Sequence, residues 1–295
     1  MAMEDYEKAG RIAREVLENS AKLIKPGAKL LEVAESIENG IRSRGAETSF
    51  PVNISINEQA AHYTPEHKCE KTFGEKDVVK LDIGTHVNGY IGDTALTVDL
   101  SCENGKLVEA SEAALEAAIA TMKPGVKNGE VGATIEEEIK KRGFKPVSNL
   151  TGHMLGKFKL HVGVEIPNIK TSSSYVLKEG DVFAIEPFAT DGAGNVSEGS
   201  QVEIFMFIEQ RPVRMRESRR LLNYVRDKFD GLPFAERWLY RDFKSKLLLN
   251  SALKELMSFG ILKPYPILSD SKKGLVSQAE RTVVIEKDGA RVLTK

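Results

Sequence analysis

Val78-Val79-Lys80-Leu81-Asp82-Ile83 is a β-branched, apolar run; Asn88-Gly89 follows it as a two-residue type I′ turn signal, and Tyr90 to Val98 reads as the returning strand. The turn sets the register. Val87 pairs with Tyr90, so Asp93 falls opposite Gly84 and Asp82 opposite Ala95. The two carboxylates then share one face as diagonal neighbours, roughly 7–8 Å apart at Cα. Acids converging from that distance repel and raise a pKa unless a divalent cation lies between them. Alone, two acids on a hairpin read equally well as solvated side chains, so further ligands are needed.

Three more candidates follow along the chain. Of five histidines, His153 lies in Leu150-Thr151-Gly152-His153-Met154-Leu155-Gly156, where flanking glycines allow close backbone approach and the neighbours are apolar. Glu186 ends the run Asp181 to Ile185, and Pro187 stops regular pairing after it. Glu280 enters a final strand, Gln278 to Ile285. Singly, an acid at a strand end is more often a solvated terminus than a ligand; the set points to a metal.

The scaffold carries a short internal repeat. Lys25-Pro26-Gly27-Ala28-Lys29 recurs as Lys123-Pro124-Gly125-Val126-Lys127, each between amphipathic helical segments: Tyr6 to Ile24 and Leu30 to Arg44, then Val108 to Met122 and Gly129 to Lys141. Two halves built alike, each turning into strands, would place a site at their junction. Asp82 and Asp93 then come from the first half, His153 and Glu186 from the second. From Glu217 to Leu262 the pattern becomes helical: Ser218 to Phe229, Phe234 to Tyr240 and Lys244 to Phe259, closed by Lys263-Pro264-Tyr265-Pro266.

Together the motifs resemble the methionine aminopeptidases, and within them the type 2 branch in its short, archaeal-like form without an N-terminal extension. The similarity covers nearly the whole chain. It is carried by Ser49-Phe50-Pro51-Val52-Asn53, Ala60-Ala61-His62-Tyr63-Thr64-Pro65, Lys80-Leu81-Asp82-Ile83-Gly84, Gly92-Asp93-Thr94-Ala95, Gly152-His153, Ala184-Ile185-Glu186-Pro187 and Gln278-Ala279-Glu280-Arg281-Thr282. The resemblance implies an α+β pita-bread fold: a pseudo-two-fold, duplicated antiparallel sheet backed by helices. Residues 1–205 and 271–295 would form the catalytic domain, and 206–270 a winged-helix-like helical insertion.

It also implies that Asp82, Asp93, His153, Glu186 and Glu280 hold two divalent metal ions, with Asp93 and Glu280 bridging, Asp82 on one ion, and His153 with Glu186 on the other. Four carboxylates and one imidazole suit Mn, Fe(II), Co or Zn in catalytic use and do not select among them. A hydroxide bridging the ions would attack the peptide carbonyl after an N-terminal methionine, with Glu186 shuttling its proton. His62 would contact substrate near the leaving amine, and His161 the developing oxyanion. Phe50 and Leu160 match positions lining the methionine pocket; without the resemblance both read as core. His67 and His86 fall in polar loop contexts and read as ordinary surface histidines.

Composition sets outer bounds. The 295 residues can bury a large core, and a formal charge of −1 gives no bulk attraction to nucleic acid or membrane. Arg211, Arg214, Arg216, Arg219 and Arg220 invite a nucleic-acid reading, but a solvated helix face explains them more simply. Cys69 and Cys102 lack metal spacing and fit a reduced cytoplasmic protein. The expected partners are N-terminal methionine peptides and nascent chains, with no membrane, no specific nucleic acid and a monomeric state; the insertion either walls the cleft or contacts the ribosome. Two other readings compete: an X-Pro-directed peptidase of the aminopeptidase P or prolidase type, and a non-enzymatic pita-bread binding protein. The His62 block and the insertion favour methionine over proline specificity, and five intact ligand positions argue for an enzyme.

Overall fold

A computed structural model of the chain describes residues 2–295. The hairpin is built as its turn dictates: Val78–Val87 and Tyr90–Asp99 pair antiparallel, with Val87 on Tyr90, Gly84 on Asp93 and Asp82 on Ala95. Asn88 and Gly89 take the left-handed φ values, 52° and 88°, that a type I′ turn requires. Alternation then sorts the side chains. Val79, Leu81, Ile83 and Val87, with Leu96 and Val98 from the returning strand, pack on helices Ala2–Ala21 and Leu30–Ser43. Asp82, Gly84 and Asp93 face the other way.

The second half repeats this plan. Helices Gly105–Thr121 and Asn128–Lys141 pack with Phe183, Ile185, Val283 and Ile285 into a second apolar core. The two Lys-Pro-Gly turns are equivalent in detail. Gly27 and Gly125 both adopt left-handed φ (81° and 92°), and their N–H groups donate to Phe73 O at 2.8 Å and Leu177 O at 3.0 Å. Single bridges, Lys29 with Thr72 and Lys127 with Val176, continue each turn into extended chain.

In the second half, Glu165–Pro167, Thr151–Met154, Val182–Ile185, Arg281–Glu286 and Gly289–Val292 form one antiparallel sheet in that spatial order. Here the structure differs from expectation. The final segment is not one strand entered by Glu280: pairing breaks after Val276–Gln278, resumes at Arg281, and a further strand follows. The break exists because Val276–Gln278 pairs with Phe188–Thr190 whereas Arg281 onward pairs with Val182–Ile185. Ala279 and Glu280 span the step between two sheets.

The helical segment also ends differently. Helices Arg216–Phe229, Glu236–Leu239 and Lys246–Ser258 share a core of their own with Phe205, Phe234 and Leu262. Phe234–Ala235, expected to open a helix, is a short strand. Lys263-Pro264-Tyr265-Pro266 belongs to the strand Leu262–Asp270, which pairs with Val196–Phe207 and with Gln59–Ala61. The prolines fit because Pro264 and Pro266 occupy positions in this ladder near register shifts, where N–H donors are not all required. Among the described residues no helix is long and apolar enough to cross a membrane.

Candidate metal centre

Each acid and the histidine is placed by backbone that the local sequence makes necessary. Asp82 sits on the hairpin between Asn53 on one neighbouring strand and Ala95 on the other. Across from Asp93, residue 84 has to be glycine: a Cβ there would lie 2.1 Å from Ser49 Oγ and 2.2 Å from the Phe50 ring. Gly152 lets the His153 strand close on its neighbour, since a Cβ would come within 2.5 Å of Ala184 O. Glu186 lies in the gap between Val182–Ile185 and Phe188–Thr190 that Pro187 enforces.

Glu280 is pinned through its main chain. Its N–H donates to Ala95 O at 3.1 Å, and its carbonyl accepts from Thr94 Oγ1 at 2.9 Å. Thr282 completes the seam, its Oγ1 accepting from Asp93 N and donating to Asp93 O, both at 2.8 Å.

All nine sequence-predicted residues line one cavity of ≈ 80 Å³: Phe50, His62, Asp82, Asp93, His153, Leu160, His161, Glu186 and Glu280. His153 Nε2 lies 3.4 Å from Glu186 Oε1 and 3.8 Å from Asp93 Oδ2. One ligand atom each of Asp93, His153 and Glu280 falls within 4.8 Å of the other two. Asp82 stands outside that tight trio but borders the same cavity. Burial, opposed by a hydrogen bond from Gln278, pushes its carboxyl up to about 7. Burial also drives Asp93, Glu186 and Glu280 well above the usual carboxylate range; the charge of neighbouring acids pushes each further, while hydrogen bonds from Glu280 and Thr94 offset part of the rise at Asp93. Burial, and then His161, hold His153 well below the ordinary imidazole value. Asp82 Oδ1 and Asp93 Oδ1 are inaccessible to solvent and have no hydrogen-bond partner. Crowded buried acids, a neutral imidazole and orphaned carboxylate oxygens facing a small cavity are a donor set that a hard divalent cation satisfies.

The two remaining cavity histidines differ in support. His62 has a left-handed φ of 67°, its Nδ1 is 3.1 Å from Pro266 O, and its ring meets Tyr265 edge-on at 5.2 Å. The His161 ring centroid is 4.2 Å from that of His153. Burial brings both down to about 4, so each is neutral at pH 7. His67 and His86 lie elsewhere. His67 is exposed and stacks on Tyr240, whereas His86, expected in a loop, is a half-buried member of the hairpin strand with its ring against Phe158. The strand continues through it because Glu47–Thr48 adds a further pairing.

Sequence reasoning assigned no role to Asn53, Tyr265 or Gln278. Asn53 and Tyr265 line the cavity, and Gln278 Nε2 donates to Glu280 Oε2 at 3.4 Å. Gln278 carried a signal in being two residues from Glu280; Tyr265 carried none, because its strand is joined to the site only by long-range pairing.

The profile for "Metallopeptidase family M24" matches residues 4–210. A methionine aminopeptidase of Methanocaldococcus jannaschii is 47% identical over 298 residues, covering 100% of both chains. One from Thermococcus onnurineus is 50% identical over 288 residues, covering 97% of each. Among solved structures, a thermophilic Arx1 superposes with a TM-score of 0.87 at 19% identity, covering 99% of this chain and 90% of its own. Methionine aminopeptidase from Thermotoga maritima gives 0.72 at 25% identity, covering 99% and 96%. The fold is therefore the pita-bread fold, and the chain belongs to metallopeptidase family M24 and, within it, to the methionine aminopeptidases.

Proposed function

We propose that this chain removes the initiator methionine from nascent proteins and peptides in the cytoplasm, as a type 2 enzyme whose residues 206–270 form the distinguishing insertion. One observation carries the reading: the five-donor cavity is completed by Phe50, Leu160, His62 and His161, an apolar slot beside uncharged hydrogen-bonding groups. Asp82, Asp93, His153, Glu186 and Glu280 would hold two divalent cations. When bound, these supply Lewis acidity and make water nucleophilic near neutral pH.

The protein's own groups do the rest. His161, neutral and beside His153, donates a hydrogen bond to the scissile carbonyl oxygen as negative charge develops there. In its carboxylate form Glu186 takes a proton from the attacking water and, as the carboxylic acid, delivers it to the leaving amine. His62 orients the substrate close to that amine. Phe50 and Leu160 flank the unbranched thioether, and a slot of this kind separates side chains by about 1–3 kcal/mol per methylene.

The test is to strip the protein with chelator, restore Mn, Fe(II), Co or Zn in turn, and follow methionine release from Met-Ala-Ser beside an Ala-Pro-Ser control. Metal-dependent release of methionine alone is the expected result. Cleavage of the proline control would move the chain to X-Pro specificity, and inactivity with every metal would leave a binding protein on the same fold.

A further inference from the structure

The helical segment from Arg216 to Ser258 has its own apolar core, which contains no residue of helix Leu30–Ser43. Between that helix, the hairpin and the segment lies a cleft of ≈ 840 Å³. Beside it, a buried ion pair joins the two bodies. Glu38 is 3% exposed and Arg237 7%, and the Arg237 Nη2 group bonds Glu38 Oε1.

Apart from Trp238, Arg237's neighbour on the helical segment, the other partners of this pair lie on chain that runs to the active cavity. Glu38 Oε1 also accepts from Val52 N at 3.4 Å, and its Oε2 from Trp238 Nε1 at 2.8 Å. Arg237 Nη1 donates to Thr64 Oγ1 at 2.6 Å and to Pro65 O at 3.3 Å. Thr64 Oγ1 in turn donates to Val52 O at 2.7 Å. Thr64 is two residues from His62, and Val52 is two residues from Phe50 and adjacent to Asn53. His62 holds a left-handed φ, uncommon for a residue other than glycine, so its placement depends on the contacts around it.

We propose that Glu38 and Arg237 are positioning residues: through Thr64 and Val52 they let the helical segment set the placement of His62 and Phe50 around the substrate. The kinetic part of this inference rests on the function proposed above. A guanidinium suits the task because its rigid fork meets a carboxylate and a hydroxyl at once, whereas a lysine at the same position presents a single point charge.

The experiment compares wild type with Arg237→Lys, Thr64→Val and the double variant Glu38→Gln/Arg237→Met, which leaves no unpaired buried charge. Metal binding by calorimetry should be unchanged, because Asp82, Asp93, His153, Glu186 and Glu280 lie outside the network. The kcat/KM for Met-Ala-Ser should fall by about ten- to a hundredfold, as misplacement by an ångström produces, at temperatures well below each variant's own Tm. Arg237→Lys should recover only part of the loss. Amide exchange of the metal-free protein supplies a readout independent of activity: Val52 and residues 61–64 should exchange on the order of tenfold faster, with the hairpin 78–99 unchanged. That readout stands even if wild type releases no methionine, which would overturn the proposed function alone. Exchange confined to residues 234–240, or unchanged kcat/KM in a folded double variant, would overturn the positioning role.

Discussion

Replacing Glu280 with glutamine should stabilise the metal-free protein and shrink the further stabilisation that metal gives. In the metal-free state the cavity holds four acids, Asp93 and Glu280 buried and Asp82 and Glu186 partly buried, and donor atoms of Asp93, His153 and Glu280 lie within 4.8 Å of one another. Two charges at that separation repel by about 3–4 kcal/mol at an effective dielectric near 20. Protonation relieves part of this, as the raised carboxyl pKa values require, so removing one acid should return roughly 1–3 kcal/mol. With about 2.1 cal/mol/K of unfolding entropy per residue, a 295-residue chain gains about 1.6 °C in Tm per kcal/mol. The metal-free Glu280→Gln protein should therefore melt roughly 2–5 °C above wild type. Metal at a hundredfold over its Kd should raise wild type by about 2.7 kcal/mol, or roughly 4 °C, and the variant by much less. Scanning calorimetry in chelator and in Mn or Co reads both arms. A variant less stable than wild type in chelator, or an equal rise for both with metal, would show that the four acids are not held in mutual conflict for a cation to resolve.

Asp82 gives a pH signature with a defined sign. Its carboxyl is raised from 3.8 to about 7 in the folded metal-free protein, so its contribution is fully present below about pH 4 and is lost as pH rises through 7. Relative to Asp82→Asn, metal-free wild type should lose up to roughly 4 kcal/mol across that window in urea melts; a flat difference would refute the burial argument. His153→Ala and Glu280→Ala should abolish turnover together with metal binding, whereas His161→Ala should keep the metal and lower kcat by about 10²–10³. Equal metal loss in all three would end that division of roles. Gly84→Ala drives a methyl into Ser49 Oγ and the Phe50 ring, and should cost about 1–3 kcal/mol and raise KM for methionine substrates; unchanged kinetics would separate Phe50 from the substrate slot.

The aspartate hairpin was legible because everything that fixes it is local. A two-residue turn sets the register, and period-two alternation sends Val79, Leu81 and Ile83 to one side and Asp82 to the other. The Lys-Pro-Gly repeat was legible for the same reason. What escaped depends on pairing between distant segments. The step at Ala279 and Glu280 arises from two different partner strands, and neither partner leaves a mark near residue 280. The strand Val196–Phe207 hides its period, because register shifts on both sides of Val202 break the alternation and several of its residues are exposed. Leu262–Asp270 was masked by prolines that punctuate a sequence without ending this strand. For the site, the motif neighbourhoods located nine of the residues that line the cavity by resemblance. Residue chemistry alone reached only the paired aspartates and a shortlist of acids and histidines.

The seam between the halves bears on how the molecule assembles. Each half has its own apolar core, and at the cavity their sheets meet through a backbone bridge, Ala95 with Glu280, laced by the hydroxyls of Thr94, Thr97 and Thr282. The seam brings residues 93–97 against residues 278–282, so the loop it closes spans most of the polypeptide. Contacts of such separation form late, because their closure entropy must be overcome before they reward the chain. The cavity is therefore expected to assemble late in refolding, when the C-terminal strands dock, and a chain interrupted before residue 276 loses Glu280 together with Val283 and Ile285 of the second core, so that all five donors have no place to meet.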